Sequence, residues 1–149
     1  MNPVFYVDNN KLQSHNDSGK NQYKRHHSER FKNRYKKLYS GIPTKENNLQ
    51  TQLVYISNRY KSPDVDNLSK PIIDAFSGVI YEDDKQVIKR EATLLELKDL
   101  EVVTIDFTNM PPKIVEDLDD YITEKEEYIL LLTVNNVDYK NITIGGIQI

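Results

Sequence analysis

The segment from Pro63 to Val87, PDVDNLSKPIIDAFSGVIYEDDKQV, sets Asp64, Asp66, Asp74, Glu82, Asp83 and Asp84 among apolar residues of core type. Carboxylates gathered near a low-dielectric core repel one another and raise each other's pKa, so a fold that collects them needs a counter-charge. Their oxygens suit hard divalent cations, Mg²⁺ first and Mn²⁺ as an alternative. A site with few protein ligands leaves positions for water and for a phosphate oxygen, which points to phosphoryl chemistry. Calcium storage fits poorly. A loop counted from Asp64 has Leu68 in its fifth position, no glycine in its sixth, and Ala75 where a bidentate Glu belongs.

The carboxylates can meet only if the elements between them bring them back together. Leu68, Ile72, Ala75 and Phe76 form an apolar stripe that predicts a helix over 68–77, closed by Gly78. Asp66, Lys70 and Asp74, each four apart, then align on one polar strip. Pro71 lacks an N–H and crowds the preceding turn, so this reading puts it in the first turn, with Asp64 and Asp66 on the approach to the helix. Such a helix is about 15 Å long at ~1.5 Å per residue. The run from Gly78 to Asp84, if extended through Val79-Ile80-Tyr81, covers up to roughly 20 Å. Asp84 can therefore return to Asp64 and Asp66, whereas Asp83, pointing the opposite way along a strand, would miss them. Lys70 can neutralise charge developing on a phosphate and can also serve as an i,i+4 partner of Asp74 or Asp66, and the two roles can coexist.

Outside this segment the pattern predicts a compact α+β domain with a mixed or antiparallel sheet. Asn9 to His27 is polar and aperiodic and reads as a loop or arm. Ser28 is the expected cap of a helix over 29–39, with Phe31, Tyr35, Leu38 and Tyr39 on its apolar side and Gly41 and Pro43 ending it. Core packing explains Phe31 and Tyr35 better than stacking on bases does. Residues 52–57 read as a strand and 87–97 are ambiguous. Residues 101–107 alternate as a strand should, with Val103, Ile105 and Phe107 on one face. After the break at Asn109-Met110-Pro111-Pro112 come a short helix and two strands, 128–134 and 137–144, joined by a hairpin at Asn135-Asn136.

Charge is unevenly divided. Through Lys61, twelve Lys and Arg face four Asp and Glu, a net of +8; beyond it, eight face nineteen, a net of −11. This suits a chain in which one surface holds a polyanion and another holds metal. Lys24, Arg25, Arg30, Arg34, Lys36 and Lys37 are the candidate DNA contacts. His26 and His27 have no metal-ligand spacing and read as part of the Lys24-Arg25 patch. With no cysteine there is no disulfide, thiolate zinc site or cysteine nucleophile. Apolar runs are short and the N-terminal residues lack a signal pattern, so a cytoplasmic protein without a membrane span is expected.

Pro63-Asp64-Val65-Asp66-Asn67-Leu68-x-Lys70, Asp74-Ala75-Phe76 and Asp83-Asp84-Lys85-Gln86-Val87 resemble, block by block, the motifs of the RusA family of endodeoxyribonucleases, Holliday-junction resolvases common in phages and prophages. The likeness covers approximately 50–107, with a weaker echo over 21–38. It implies that Asp64, Asp66 and Asp84 are the essential metal-binding carboxylates and Lys70 the supporting base of the catalytic set, with Asn67, Asp74 and Asp83 in support. It also implies a Mg²⁺-dependent homodimer acting on four-way junctions, in a bacterial cell or a phage-infected host. Residues 1–110 then form the nuclease core with its basic arm, and 111–149 a helix-plus-hairpin addition packed on the same domain. The rival reading is a non-catalytic protein that binds branched DNA or a phage partner.

Overall fold

The structure, a computed structural model, describes residues 1–10, 20–57 and 65–148, without the side chains of 20, 21, 23, 65–68, 147 and 148. Its main sheet has four strands: β1 (Val4–Asp8), β2 (Leu49–Ser57), β3 (Val87–Glu96) and β4 (Tyr128–Asn136). They lie in the order β1-β4-β2-β3. The β1–β4 and β4–β2 pairs are antiparallel and the β2–β3 pair is parallel. Three helices accompany the sheet: α1 (Lys20–Arg34), α2 (Val65–Ala75) and α3 (Pro112–Thr123). A two-residue hairpin, β5 (Thr143–Ile144) with β6 (Ile147–Gln148), turns on Gly145 and Gly146, both at positive φ.

The core is keyed by rings. Tyr6 of β1 meets Phe76 at 5.0 Å, Tyr35 at 6.0 Å and Phe31 at 6.3 Å between centroids, and Phe31 meets Phe76 at 5.7 Å. All four are buried, so β1, α1 and the end of α2 share one aromatic cluster. Truncating Phe76 to Ala there would cost on the order of 3–5 kcal/mol. Phe31 and Tyr35 are thus core residues, as expected. Tyr39 is half-buried, and its hydroxyl donates to the Phe5 carbonyl while accepting the Phe5 N–H.

Several elements depart from the sequence-based expectation. The basic helix starts at Lys20 and ends at Arg34, so it covers part of the supposed loop, and Ser28 is interior, its hydroxyl donating to the Arg25 carbonyl. Its buried face, His27, Phe31 and Tyr35 at i, i+4 and i+8, begins with a histidine that an apolar stripe does not register. β1 has no alternation to mark it as a strand, because all five of its residues are buried. Residues 103–107 are not in a strand although they alternate, whereas the ambiguous segment forms the ten-residue β3. The hairpin at Asn135-Asn136 does not form: β4 runs on through both, pairing Asn136 with Leu49. Because β4 is occupied by β1 on one edge and β2 on the other, residues 137–144 have no edge on which to return.

Candidate active site

Helix α2 holds the apolar stripe as expected, with Ile72, Ala75 and Phe76 buried. It begins at Val65, which puts Asp66 and Asn67 inside the first turn and makes Pro71 the seventh residue of the helix, contrary to the expected arrangement. Pro71 removes one hydrogen bond to the preceding turn, and burial of the proline within the packed helix offsets that loss. The helix tightens at its end, Phe76 N–H reaching the Ile73 carbonyl and Ser77 N–H that of Asp74, both at 3.3 Å. Gly78 follows at φ +80°, the left-handed conformation anticipated for it.

The return from Gly78 to Asp84 is compact rather than extended. Ile80 N–H bonds back to the Phe76 carbonyl at 3.0 Å, Gly78 N–H to the Tyr81 carbonyl at 2.7 Å, and Thr44 N–H to the Ile80 carbonyl at 2.9 Å. Tyr81 is fully buried and its hydroxyl donates to the Ile73 carbonyl. The tight return delivers Asp84 to Asp74. The Asp84 carboxyl is held above its usual range first by a hydrogen bond with Asp83, then by partial burial and by a hydrogen bond with Asp74. Asp83 is held below its range first by the Lys85 N–H, 2.9 Å from Oδ1, and then by its bond with Asp84. Asp83 caps the short 3₁₀ turn Asp84–Gln86, its Oδ1 accepting the Lys85 N–H.

Gln86, buried, anchors this turn. Its Oε1 accepts the Asp83 N–H at 2.7 Å, and its Nε2 donates to the carbonyls of Thr44 at 2.9 Å and Glu46 at 2.7 Å. The sequence held this residue in the Asp-Asp-x-Gln block, but nothing local said that its partners would be two carbonyls some forty residues earlier.

Cations flank the carboxylates. Lys70 Nζ stands 3.5 Å from Asp74 Oδ2, the i,i+4 pair expected, and Lys24 Nζ of α1 stands 3.9 Å from the same oxygen. The basic and acidic halves of the chain thus meet where α1 packs on α2. Of the other candidate DNA contacts, Arg25, Lys36 and Lys37 are exposed. Arg30 and Arg34 are engaged within the fold. Arg30 Nε lies 3.3 Å from Asp8 Oδ1 and its Nη2 donates to the Tyr121 hydroxyl, while Arg34 Nη2 donates to Asp117 Oδ2 at 3.0 Å. Asp64 lies outside the described residues, as do the side chains of Asp66 and Asn67.

A cavity of about 270 Å³ lined by Asn2, Pro3, Leu38, Tyr39, Asn109 and Pro111 shares no residue with this carboxylate group. Asp74, Asp83 and Asp84 instead sit on accessible surface, Asp83 exposed and the other two half-buried, an arrangement that admits a polymer. The family model described as endodeoxyribonuclease RusA matches residues 5–106. The chain belongs to the RusA endodeoxyribonuclease family. Among curated proteins, no sequence matches it. The matched segment takes in β1 from Phe5 onward, β2, β3 and the carboxylates Asp74, Asp83 and Asp84 but ends before β4, so the strand that joins β1 to β2 comes from outside it. Among the described residues, no helix is long and apolar enough to cross a membrane.

The carboxylate oxygens of Asp74 and Asp84 are of the kind that hard divalent cations take. Asp84 is flanked by Asp83 and Asp74, and the crowding that holds its carboxyl above the usual range is of a kind that a proton or a cation relieves. Among the described residues, Lys24 and Lys70 both face Asp74, at 3.9 Å and 3.5 Å. Sequence reasoning underrated Asp74: the helical strip marked it, but only the compact turn brings Asp84 beside it.

Proposed function

We propose that this protein is a Mg²⁺-dependent, structure-selective endonuclease that hydrolyses phosphodiester bonds in four-way DNA junctions. The observation that carries the reading is the meeting of Asp84 with Asp74 beside Lys24 and Lys70, in a chain of an endodeoxyribonuclease family. Asp64, Asp66 and Asp84, with Asp74 at the edge of the group, would hold Mg²⁺, with Mn²⁺ as a substitute. A bound divalent ion supplies Lewis-acid polarisation of the phosphate and lowers the pKa of a water molecule. Lys70, half-exposed, faces the charge that develops on the phosphate oxygens, and its pairing with Asp74 fixes the ammonium near the reacting phosphate. Lys24 attracts the DNA backbone to the same side. Products with 5′-phosphate and 3′-hydroxyl ends are expected. Matched cuts in two strands call for two sites related by two-fold symmetry, hence a homodimer.

The test is Asp84→Asn. Losing one anionic ligand weakens metal binding while easing repulsion of phosphate, so junction cleavage should fall by at least about a hundredfold, with junction affinity in Mg²⁺-free buffer retained or increased. Cleavage of a four-way junction at the wild-type rate by the variant would remove Asp84 from the site. Tight junction binding by a wild-type protein that never cuts, with Mg²⁺ or Mn²⁺, would favour a binding protein instead.

A further inference from the structure

A second group of ligating atoms, made of other residues, converges at the C-terminal end of β1. Asp8, fully buried at the end of β1, uses its two carboxylate oxygens differently. Oδ1 accepts the N–H groups of Asn9 at 2.7 Å and Asn10 at 3.2 Å, and faces Arg30 Nε at 3.3 Å. Oδ2 faces two imidazoles and a phenol: His26 Nε2 at 2.8 Å, His27 Nδ1 at 3.3 Å and the Tyr6 hydroxyl at 3.1 Å. Tyr6 Oη and His27 Nδ1 are 2.7 Å apart. One oxygen is thus tied to backbone and guanidinium while the other joins a set of four N and O donors.

The spacing within that set matches a small coordination polyhedron. Four ligands on a tetrahedral ion with bonds of about 2.0–2.1 Å are separated by roughly 3.3 Å. The contacts of 2.7–3.3 Å around Asp8 Oδ2 and Tyr6 need to open by up to about 0.6 Å as hydrogen bonds give way to metal bonds, and the ligand atoms of Asp8, His26 and His27 all lie within 4.8 Å of one another. Two imidazole nitrogens with a carboxylate are borderline donors that select zinc-like cations, in contrast to the all-oxygen group at Asp84. The Arg30 and backbone bonds to Oδ1 orient the carboxylate as outer partners of metal ligands do. His26 is 37% exposed, which leaves the buried set a way in from solvent.

We propose that Asp8, His26 and His27, with Tyr6 completing the set, form a structural site for a zinc-class divalent cation that ties α1 to β1. The site is independent of the nuclease reading. By fixing the N-terminal half of α1, it holds the helix from which Lys24 reaches Asp74.

The test uses the full chain freed of metal with chelator and then kept in excess Mg²⁺, which saturates oxygen-only sites. Titration with Co²⁺ should develop the intense visible absorption of a four-coordinate ion at one equivalent, and Zn²⁺ should displace it and raise the melting temperature. His26→Ala, at a half-exposed position that folding tolerates, should lose the band, with Co²⁺ affinity reduced on the order of 100-fold. Absence of the band in the wild type, or its persistence in His26→Ala, would overturn the proposal and leave the cluster as a hydrogen-bonded clasp between β1 and α1.

Discussion

Replacing Gln86 with Ala tests how the carboxylate site is held. The side chain makes three hydrogen bonds, one from the Asp83 N–H and two to the carbonyls of Thr44 and Glu46. At about 1 kcal/mol net each, their loss removes roughly 3 kcal/mol. For a chain of this size that lowers the melting temperature by roughly 6–12 °C, leaving a folded protein at 25 °C. The effect on chemistry comes through Asp84, which occupies the turn between Asp83 and Gln86. Misplacing a reacting group by about 1 Å can cost on the order of 100-fold. Gln86→Glu keeps the shape but sets a carboxylate against two carbonyls, and should be at least as damaging. The assay is junction cleavage across a Mg²⁺ titration, with far-UV circular dichroism to establish folding. A positioning role predicts that half-saturating Mg²⁺ rises and that saturating Mg²⁺ rescues part of the rate. If Gln86→Ala melted and cut like the wild type at low Mg²⁺, this account of the turn would be wrong. A variant that lost stability but kept its Mg²⁺ dependence would make Gln86 a fold residue alone.

Three further outcomes are expected. Burial by itself would raise the Asp117 carboxyl, but the Tyr35 hydroxyl at 2.6 Å, Lys113 and Arg34 together hold it below its usual range. Its contribution to stability is therefore present above the usual carboxylate pKa and is lost as pH falls through the lowered one, so Asp117→Asn should flatten the acid limb of a stability–pH curve and cost about 2–3 kcal/mol at neutral pH. Arg25, Lys36 and Lys37 changed together to Ala should weaken junction binding and reduce its salt slope by about one unit for each phosphate no longer neutralised, whereas an unchanged slope would make them merely solvated. A chain ending near Pro111 lacks β4, which pairs with both β1 and β2, and it should show no cooperative thermal transition; a cooperative melt would mean that β1 and β2 can close on each other.

Residue periodicity by itself determined the parts of this protein that depend on nearest neighbours. The apolar stripe of α2 specified the buried face to which Ile72, Ala75 and Phe76 contribute, and the four-residue spacing of Lys70 and Asp74 specified their ion pair. The paired acidic blocks, with the basic residues before them, specified the class of chemistry. Tertiary structure decided everything that needed a partner far along the chain. Residues 137–142 carry strand formers, yet they cannot pair back on β4, whose two edges are filled by β1 and β2, while residues 103–107 alternate without joining the sheet. The polar sequence of α1 became a helix because His27, Phe31 and Tyr35 found a buried surface on β1 and α2, which no local pattern contains. Asp84 came to Asp74 through a compact turn closed by Thr44 and Gln86, where local reading allowed an extended strand just as well. The backbone between two blocks limits how far apart they can lie, but only the contacts that fold it decide which carboxylates touch.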